Sequence, residues 1–282
     1  LGVEKVRLTG GEPLLRRDLT ELVRGLRGLS TLSDLALTTN AVLLDDLARP
    51  LREAGLDRIT VSLDTLRPER FSELTRRDEF ARTLRGIDAA REAGFRGTKL
   101  NVVVMRGQND DELVDLLAFG REHDIEIRFI EYMDVGGATR WTMDTVVPAT
   151  EMLGRIADAL GPVEPLEAQR TSAPADRFRL ADGQVFGIIA STTRPFCAGC
   201  DRARLTADGH FFTCLYAREG TALGPILRSE GVEAAARRIG DIWTGRDDRG
   251  AEERQAEARR GALAEADELR DRPHLEMHTR GG

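Results

Sequence analysis

An α/β fold built on a parallel sheet is predicted by three features of this 282-residue sequence. Through the first half, short β-branched or aliphatic runs alternate with longer amphipathic stretches, the pattern of consecutive βα units. Glycines close the amphipathic stretches, at Gly28, Gly55, Gly94 and Gly97. After Gly136 and Gly137 the rhythm changes to that of hairpins, with Ala181-Asp182-Gly183 and Ala207-Asp208-Gly209 as turn signals between short apolar runs.

Taken in order, strands are predicted over 3–8, 34–38, 58–63, 98–104 and 126–132. Helices are predicted over 18–26, 45–54, 80–93 and 110–123, the last opened by Asn109 and Asp110 as caps. A further helix over 148–160 precedes the hairpins, and the Arg-, Glu- and Ala-rich stretch after Gly245 predicts exposed helix or partial disorder. Three regions follow from these changes of rhythm: 1–145, 146–245 and 246–282.

Composition bounds the function. Hydrophobic residues at 41%, charged residues at 32% and a mean hydropathy of -0.33 describe a globular chain able to bury a core without disulfides. No apolar run is long enough to span a bilayer, and neither a signal peptide nor a secreted-type cysteine framework is present, so the expected compartment is the cytoplasm. A net charge of -7 and a pI near 5.4 exclude broad, salt-driven nucleic-acid binding. An anionic ligand must therefore be met locally. All but two of the 41 basic residues are arginine, and the exceptions, Lys5 and Lys99, both fall in predicted strands.

The three cysteines, Cys197, Cys200 and Cys214, lie in one short window, with Arg202 and Arg204 between them. An odd number excludes a closed disulfide set, and Cys-x2-Cys with a third thiol nearby has the spacing of soft-metal or iron–sulfur ligands. Three thiolates leave one coordination position for water or substrate. A pair of buried thiols with one incidental cysteine remains the alternative, as does a three-thiolate zinc hydrolase, although no histidine or carboxylate base accompanies the thiols.

Strands of a covered parallel sheet are normally apolar throughout, and these are not. Lys5 and Arg7 share a face, as do Lys99 and Asn101, while Arg128 interrupts an aliphatic run. Buried cations are costly alone, so that face meets carboxylates, a cavity or an anionic ligand. Convergence of Lys5, Arg7, Lys99, Arg128, Arg202 and Arg204 would suit a polyphosphate; strand-end cations reaching solvent are the competing reading. After the first strand comes Gly10-Gly11-Glu12-Pro13, where free backbone groups at a strand's carboxyl end can bind an amino acid and Glu12 can accept from an ammonium.

The stretches VRLTGGEPLLRRDL (6–19), LTTNA (37–41), ITVSLDTL (59–66), KLNVVV (99–104), IRFIEYM (127–133) and FCAGCDRARLTADGHFFTCL (196–215), with the terminal Gly281-Gly282, closely resemble the molybdenum cofactor biosynthesis protein A family. These are the GTP 3′,8-cyclases of the radical S-adenosylmethionine superfamily. The resemblance implies a TIM-type partial (βα)6 barrel followed by a C-terminal α+β cluster-binding region. It implies conversion of GTP to 3′,8-cyclo-7,8-dihydro-GTP, begun by a 5′-deoxyadenosyl radical. It further implies S-adenosylmethionine at Gly10, Gly11, Glu12, Ser62 and the backbone of Met133. GTP falls to Lys5, Arg7, Thr38, Lys99, Arg128, Arg202 and Arg204, and a 4Fe–4S cluster to Cys197, Cys200 and Cys214. Arg202, Arg204, Gly281 and Gly282 are implied at the reacting centre, an electron-donor protein as partner, and a homodimer is compatible with the family.

One departure is large. The superfamily's Cys-x3-Cys-x2-Cys loop, which binds the cluster that cleaves S-adenosylmethionine, is not in these 282 residues. The expectation is an amino-terminally shortened barrel lacking its first βα unit, with an exposed sheet edge, lowered stability and no radical generation as it stands. The alternative function is then a non-catalytic GTP- and iron–sulfur-binding remnant. His274 and His278, four apart, read as an incidental pair, His123 and His210 as helix-end and turn residues, and Trp141 and Trp243 as too isolated for a stacking platform.

Overall fold

A computed structural model describes residues 1–167, 172–276 and 279. Four βα repeats and a fifth strand open the chain: β1 (Lys5–Leu8), α1 (Leu19–Arg27), β2 (Asp34–Thr39), α2 (Leu44–Glu53), β3 (Arg58–Ser62), α3 (Pro68–Thr75), α4 (Phe80–Glu92), β4 (Lys99–Val104), α5 (Leu113–Glu122) and β5 (Glu126–Glu131). Next come α6 (Ala149–Leu160), β6 (Val163–Leu166), β7 (Asp176–Leu180), β8 (Val185–Ile189), β9 (Arg204–Leu205), β10 (His210–Phe212) and β11 (Thr221–Ala222). The chain closes with α7 (Leu223–Glu230), α8 (Val232–Thr244), α9 (Gly250–Ala256) and α10 (Ala266–Asp271).

Among the described residues the main sheet has eight strands in the order β1-β2-β3-β4-β5-β8-β7-β6. β1 to β5 run parallel, β8 adds a sixth parallel strand against β5, and β7 and β6 return antiparallel. The predicted α/β class with a parallel sheet is what forms, and the Asp182-Gly183 turn joins β7 to β8. What periodicity did not predict is the parallel pairing of Arg128 with Gly187, which carries the sheet on past residue 146. Ala207 to Gly209 turn β9 into β10 within a separate three-stranded sheet.

The sheet is two-sided in a way that decides where a ligand can go. Leu35, Leu37, Ile59, Val61, Leu100, Val102, Ile127, Phe129, Phe186 and Ile188 point to the helix layer and are almost wholly buried. The alternate positions, Arg7, Thr38, Thr60, Lys99, Asn101 and Arg128, share the opposite face, because side chains alternate along a strand and the register aligns them. Burying one Leu or Ile side chain contributes about 1.5–3 kcal/mol, so the helix-facing set fixes the sheet and leaves the other face to polar chemistry.

Several local expectations change. Asn109 and Asp110 do not cap α5, which begins at Leu113 behind Glu112. Asn109 is instead buried, its amide donating to the carbonyls of Asp64 (2.7 Å) and Val103 (2.8 Å) while its Oδ1 accepts from Met105 N–H at 2.8 Å. Three backbone groups, in the 63–67 loop, in β4 and just after it, thus take up the Asn109 side chain, which is therefore not free to cap α5. Helix α3 was not predicted; Pro68 at its first position and Arg76 in the left-handed region at its end are the signals that mark it. α7 and α8, parted by Gly231 at φ +87°, also went unpredicted.

Candidate substrate and iron–sulfur site

The polar face of the sheet gathers cations near the amino-terminal half of the strands. Arg7 on β1 donates from Nη1 to Thr38 Oγ1 (2.8 Å) and Thr60 Oγ1 (3.0 Å), linking three strands across the face. Lys99 heads β4, and burial, then the charges of Arg128 and Arg58, push its pKa down to about 8 against a partial restoring pull from Glu126. Arg128 is likewise pushed down, chiefly by burial; Arg7 is pushed the same way by the protein around it and by Arg58, but on the edge strand β1 its side chain is open to solvent, which weakens the effect. Lys5 is exposed at the edge, paired in register with Asp34. Two members were missed from the sequence. Arg58 pairs with Asp34, its Nε 2.8 Å from Oδ1, and Arg177 on β7 pairs with Glu126 at 3.3 Å. Arg58 was legible as the first residue of an alternating strand; only the β5-β8-β7 register reveals Arg177.

The carboxyl ends of the strands hold the second group. Gly10 has φ +135°, a conformation in which a side chain would be strained, and the space at the Cβ position of Gly11 is open, so backbone is accessible there. Glu12 is committed locally: Oε1 accepts from Leu14 N–H (3.0 Å) and Thr39 Oγ1 (2.7 Å), and Oε2 from Asn40 N–H (2.8 Å). It thereby braces the glycine turn against the end of β2. Ser62 is exposed at the end of β3, opposite Asn101, and Met133 follows β5. Asp64, two residues beyond Ser62, accepts from Val103 N–H at 2.8 Å, and burial raises its pKa to about 6.

Behind the strand ends lies a buried anchor. Asp134 is fully buried, accepting from Tyr216 Oη (2.9 Å), Arg254 Nε (2.9 Å) and Arg260 Nε and Nη2 (3.0 and 2.8 Å). Burial alone would raise this carboxyl, but Arg260, Tyr216 and Arg254 together hold it below its ordinary value. Trp141 belongs here too, its indole donating to Tyr132 O at 3.0 Å under the Arg260 guanidinium. Tyr216 stands two residues from Cys214, and Arg254 is on α9, so one carboxylate ties the cysteine segment and the chain after residue 245 to the end of β5.

The cysteine segment is lined with N–H donors. Cys197 opens a short 3-10 turn and receives the backbone N–H groups of Glu252 and Ala251, although burial is the larger effect and raises its pKa. Cys200 is also pushed up by burial, but the Arg202 N–H, the Arg202 charge and the Arg246 side chain outweigh that and leave it below a thiol's usual value. Cys214 Sγ accepts from Tyr216 N–H at 3.4 Å. A Cβ on Gly250 would lie 3.0 Å from Cys214 Sγ and 2.5 Å from Tyr216 Cβ, so only glycine lets α9 start against the sulfur. Arg202 stacks on Phe196, 5.0 Å from the ring centroid, and Arg204 begins β9. Among the described residues no three such side chains converge as ligands of one metal ion. A four-iron cluster does not require that convergence, since each thiolate would bind a different iron; the N–H donors and cations favour the thiolate at Cys200, and at Cys197 burial opposes it. Gly281, Gly282 and His278 lie outside the described residues. His123 caps α5 and stacks on Phe119, and His210 sits beside Asp208.

A parallel sheet carrying a polar face with a glycine turn at its strand ends is an α/β fold of the class that binds ligands at the carboxyl ends of its strands. The Radical SAM superfamily model matches residues 1–120, and the Molybdenum Cofactor Synthesis C model matches residues 125–252. Among solved structures, SuiB of Streptococcus suis bound to S-adenosylmethionine aligns with a TM-score of 0.58 at 15% identity, over 89% of this chain and 56% of that one, a likeness of fold. The chain is 51% identical over 290 residues to GTP 3',8-cyclase 3 of Mycobacterium bovis, covering all of this chain and 76% of the relative. It is 51% identical to GTP 3',8-cyclase 1 of Mycobacterium tuberculosis, covering 80% of that protein, and 49% identical to the GTP 3',8-cyclase of Acidothermus cellulolyticus, covering 75%. The chain belongs to the GTP 3',8-cyclase family.

Among the described residues no helix is long and apolar enough to cross a membrane.

Proposed function

We propose that this chain takes part in molybdenum cofactor synthesis as the GTP- and cluster-binding body of a GTP 3',8-cyclase. The observation that carries this reading is the positively charged floor formed by Arg7, Lys99 and Arg128 on one face of the sheet, in a chain half identical to named cyclases along its whole length. Three separate strands present these cations to one space, and a triphosphate is the ligand whose charge and donor demand match them. Arg202 and Arg204, beside the thiols, meet the nucleotide from the other side. Residues 1–145 then bind S-adenosylmethionine through Gly10, Gly11, Ser62 and the Met133 backbone, residues 146–245 carry the thiols, and Gly281 and Gly282 serve the reacting centre.

Cys197, Cys200 and Cys214 are the residues that would hold a 4Fe–4S cluster. Bound S-adenosylmethionine and a reducing cluster supply a carbon radical able to take hydrogen from a ribose. The protein's share is to hold ribose C3′ and guanine C8 within reach of each other and to keep solvent away, which restricts the radical to one partner. Arg7 is preorganised for this by its bonds to Thr38 and Thr60, so it loses little freedom when the phosphates arrive.

The test is anaerobic purification with iron and sulfide analysis, together with calorimetric titration by GTP. About four irons per chain and GTP binding weakened by Arg202→Ala are expected; zinc in place of iron, or no GTP binding, rejects the reading. Turnover is measured on a chain that also carries a Cys-x3-Cys-x2-Cys segment, and failure of such a chain to form cyclised nucleotide leaves a binding protein and not a cyclase.

A further inference from the structure

We propose that Arg177 is a further phosphate-binding residue, forming with Arg128 a two-guanidinium clamp on the nucleotide's polyphosphate, and that Glu126 is the counter-ion holding the clamp until the phosphates displace it. This inference rests on the reading of the site as a nucleoside triphosphate site and adds to it residues that the sequence did not suggest.

The first observation is an imbalance of hydrogen bonding. Among the described residues, the buried side-chain nitrogen and oxygen atoms with no hydrogen-bond partner are Glu126 Oε1, Arg128 Nε and Arg177 Nε, all in one cluster. Buried polar atoms in folded chains are nearly always satisfied; Glu126 Oε1 still has its ion pair with Arg128, so the two Nε–H donors are the groups for which an acceptor ligand supplies the partner. Glu126 is within ion-pair range of both arginines, but one carboxylate cannot fill two guanidinium forks.

Charge points the same way. Among the described residues Arg7, Arg58, Lys99, Arg128 and Arg177 surround two carboxylates, Asp34 and Glu126, and Asp34 is occupied by Arg58. The excess of positive charge is unfavourable to the empty site, and a polyphosphate removes that repulsion as it binds.

Backbone geometry shows that the clamp is built. Arg128, Gly187 and Arg177 stand side by side across β5, β8 and β7. A Cβ at Gly187 would lie 2.7 Å from Arg128 Cδ and 3.0 Å from its Nε, so only glycine lets the Arg128 stem lie over β8 toward Arg177. The arginines are neighbours across a glycine, with their side chains 13% and 26% exposed: shielded enough to bind strongly and open enough to be reached.

The experiment is calorimetric titration of the full chain with GTP, GMP and inorganic tripolyphosphate. Arg177→Ala is expected to weaken GTP and tripolyphosphate binding about 10- to 100-fold, the range for a lost charge-assisted hydrogen bond, while changing GMP binding less than about 3-fold. Arg177→Lys, which keeps charge without the fork, falls between. Glu126→Gln is expected to tighten GTP binding about 3- to 10-fold, because a competitor for the arginines is gone. That gain separates the clamp from a structural ion pair, whose loss would destabilise the chain without improving affinity. Equal weakening of GTP and GMP by Arg177→Ala, or a loss of GTP affinity in Glu126→Gln, overturns the proposal. If the unaltered chain binds tripolyphosphate through Arg177 but not GTP, the clamp stands and the cyclase reading fails. If it binds neither, both fail.

Discussion

Lys99 offers the most direct measure of whether the floor of the sheet receives phosphate. Its ammonium group is pressed by burial and by Arg128, Arg58 and Arg7, with only Glu126 opposing, so it loses its proton near pH 8 where an ordinary lysine does so at 10.5. A polyphosphate beside it restores the charged form. At pH 8 the empty site holds about half a proton on Lys99 and the filled site nearly a whole one, so GTP binding takes up about 0.5 proton. The full displacement would correspond to about 3 kcal/mol at 1.4 kcal/mol per pH unit, and screening of a partly exposed side chain reduces this to about 1–2 kcal/mol. GTP affinity should therefore fall roughly tenfold between pH 7 and pH 10. The sign for stability is the converse. The lowered pKa leaves the unfolded chain holding more protons between about pH 8 and 10.5, so the empty protein gains stability as pH rises through that window. Titration at pH 8 in buffers of different ionisation enthalpy counts the proton. Lys99→Arg, charged throughout, should keep binding and lose the uptake. Zero uptake in the unaltered chain, or unchanged uptake in Lys99→Arg, would refute the argument.

Other sites make separate predictions. Gly250→Ala drives a methyl group into Tyr216 and Cys214, and should lower iron affinity about 10- to 100-fold in anaerobic reconstitution, read by iron and sulfide assay, with the sheet still folded by circular dichroism. Asp134→Ala leaves Arg254 and Arg260 without their shared carboxylate in a buried place, at an expected cost of about 3–5 kcal/mol in urea unfolding. Gly86→Ala would set a Cβ 2.0 Å from the carbonyl oxygen of Ala41, backbone that cannot yield cheaply, and should destabilise by about 1–3 kcal/mol or more. Asp64 is protonated more readily folded than unfolded, so its contribution to stability is lost as pH rises from about 4 to about 6; Asp64→Asn should raise stability at pH 7.5 by about 1–2 kcal/mol and not at pH 4.

The parallel half was legible because its strands carry two signals at once. Ile127 and Phe129 read as core while Glu126 and Arg128, between and before them, read as something else, and the structure sends the two sets to opposite faces. The GGEP turn was legible from glycine chemistry, but Glu12's work was not: its bonds to Thr39 and Asn40 cross to the next strand and leave no mark in a local window. Asn109 misled for a related reason. Next to Asp110 before an apolar run it has the composition of a cap, yet carbonyls 45 and 6 residues away, in the loop after β3 and in β4, claimed its amide. Arg177 and Gly187 were invisible because hairpin patterning fixes β7 against β8 but says nothing of which earlier strand β8 joins.

The anchoring of the cysteine segment follows from the same non-local pairing. Three thiols on a short turn and on the loop that follows a strand of a small three-stranded sheet have little regular structure of their own to fix them. Asp134 supplies what packing does not. It lies just past β5, the strand that carries Arg128, and it binds Tyr216 beside Cys214 and Arg254 on the helix whose N–H groups reach Cys197. Displacement of β5 would thus move both the cationic floor and the thiols, which one strand and one carboxylate tie together. A reaction that joins two atoms of a single nucleotide needs its two ends held at a fixed separation, and a shared strand does that more rigidly than two independently folded halves.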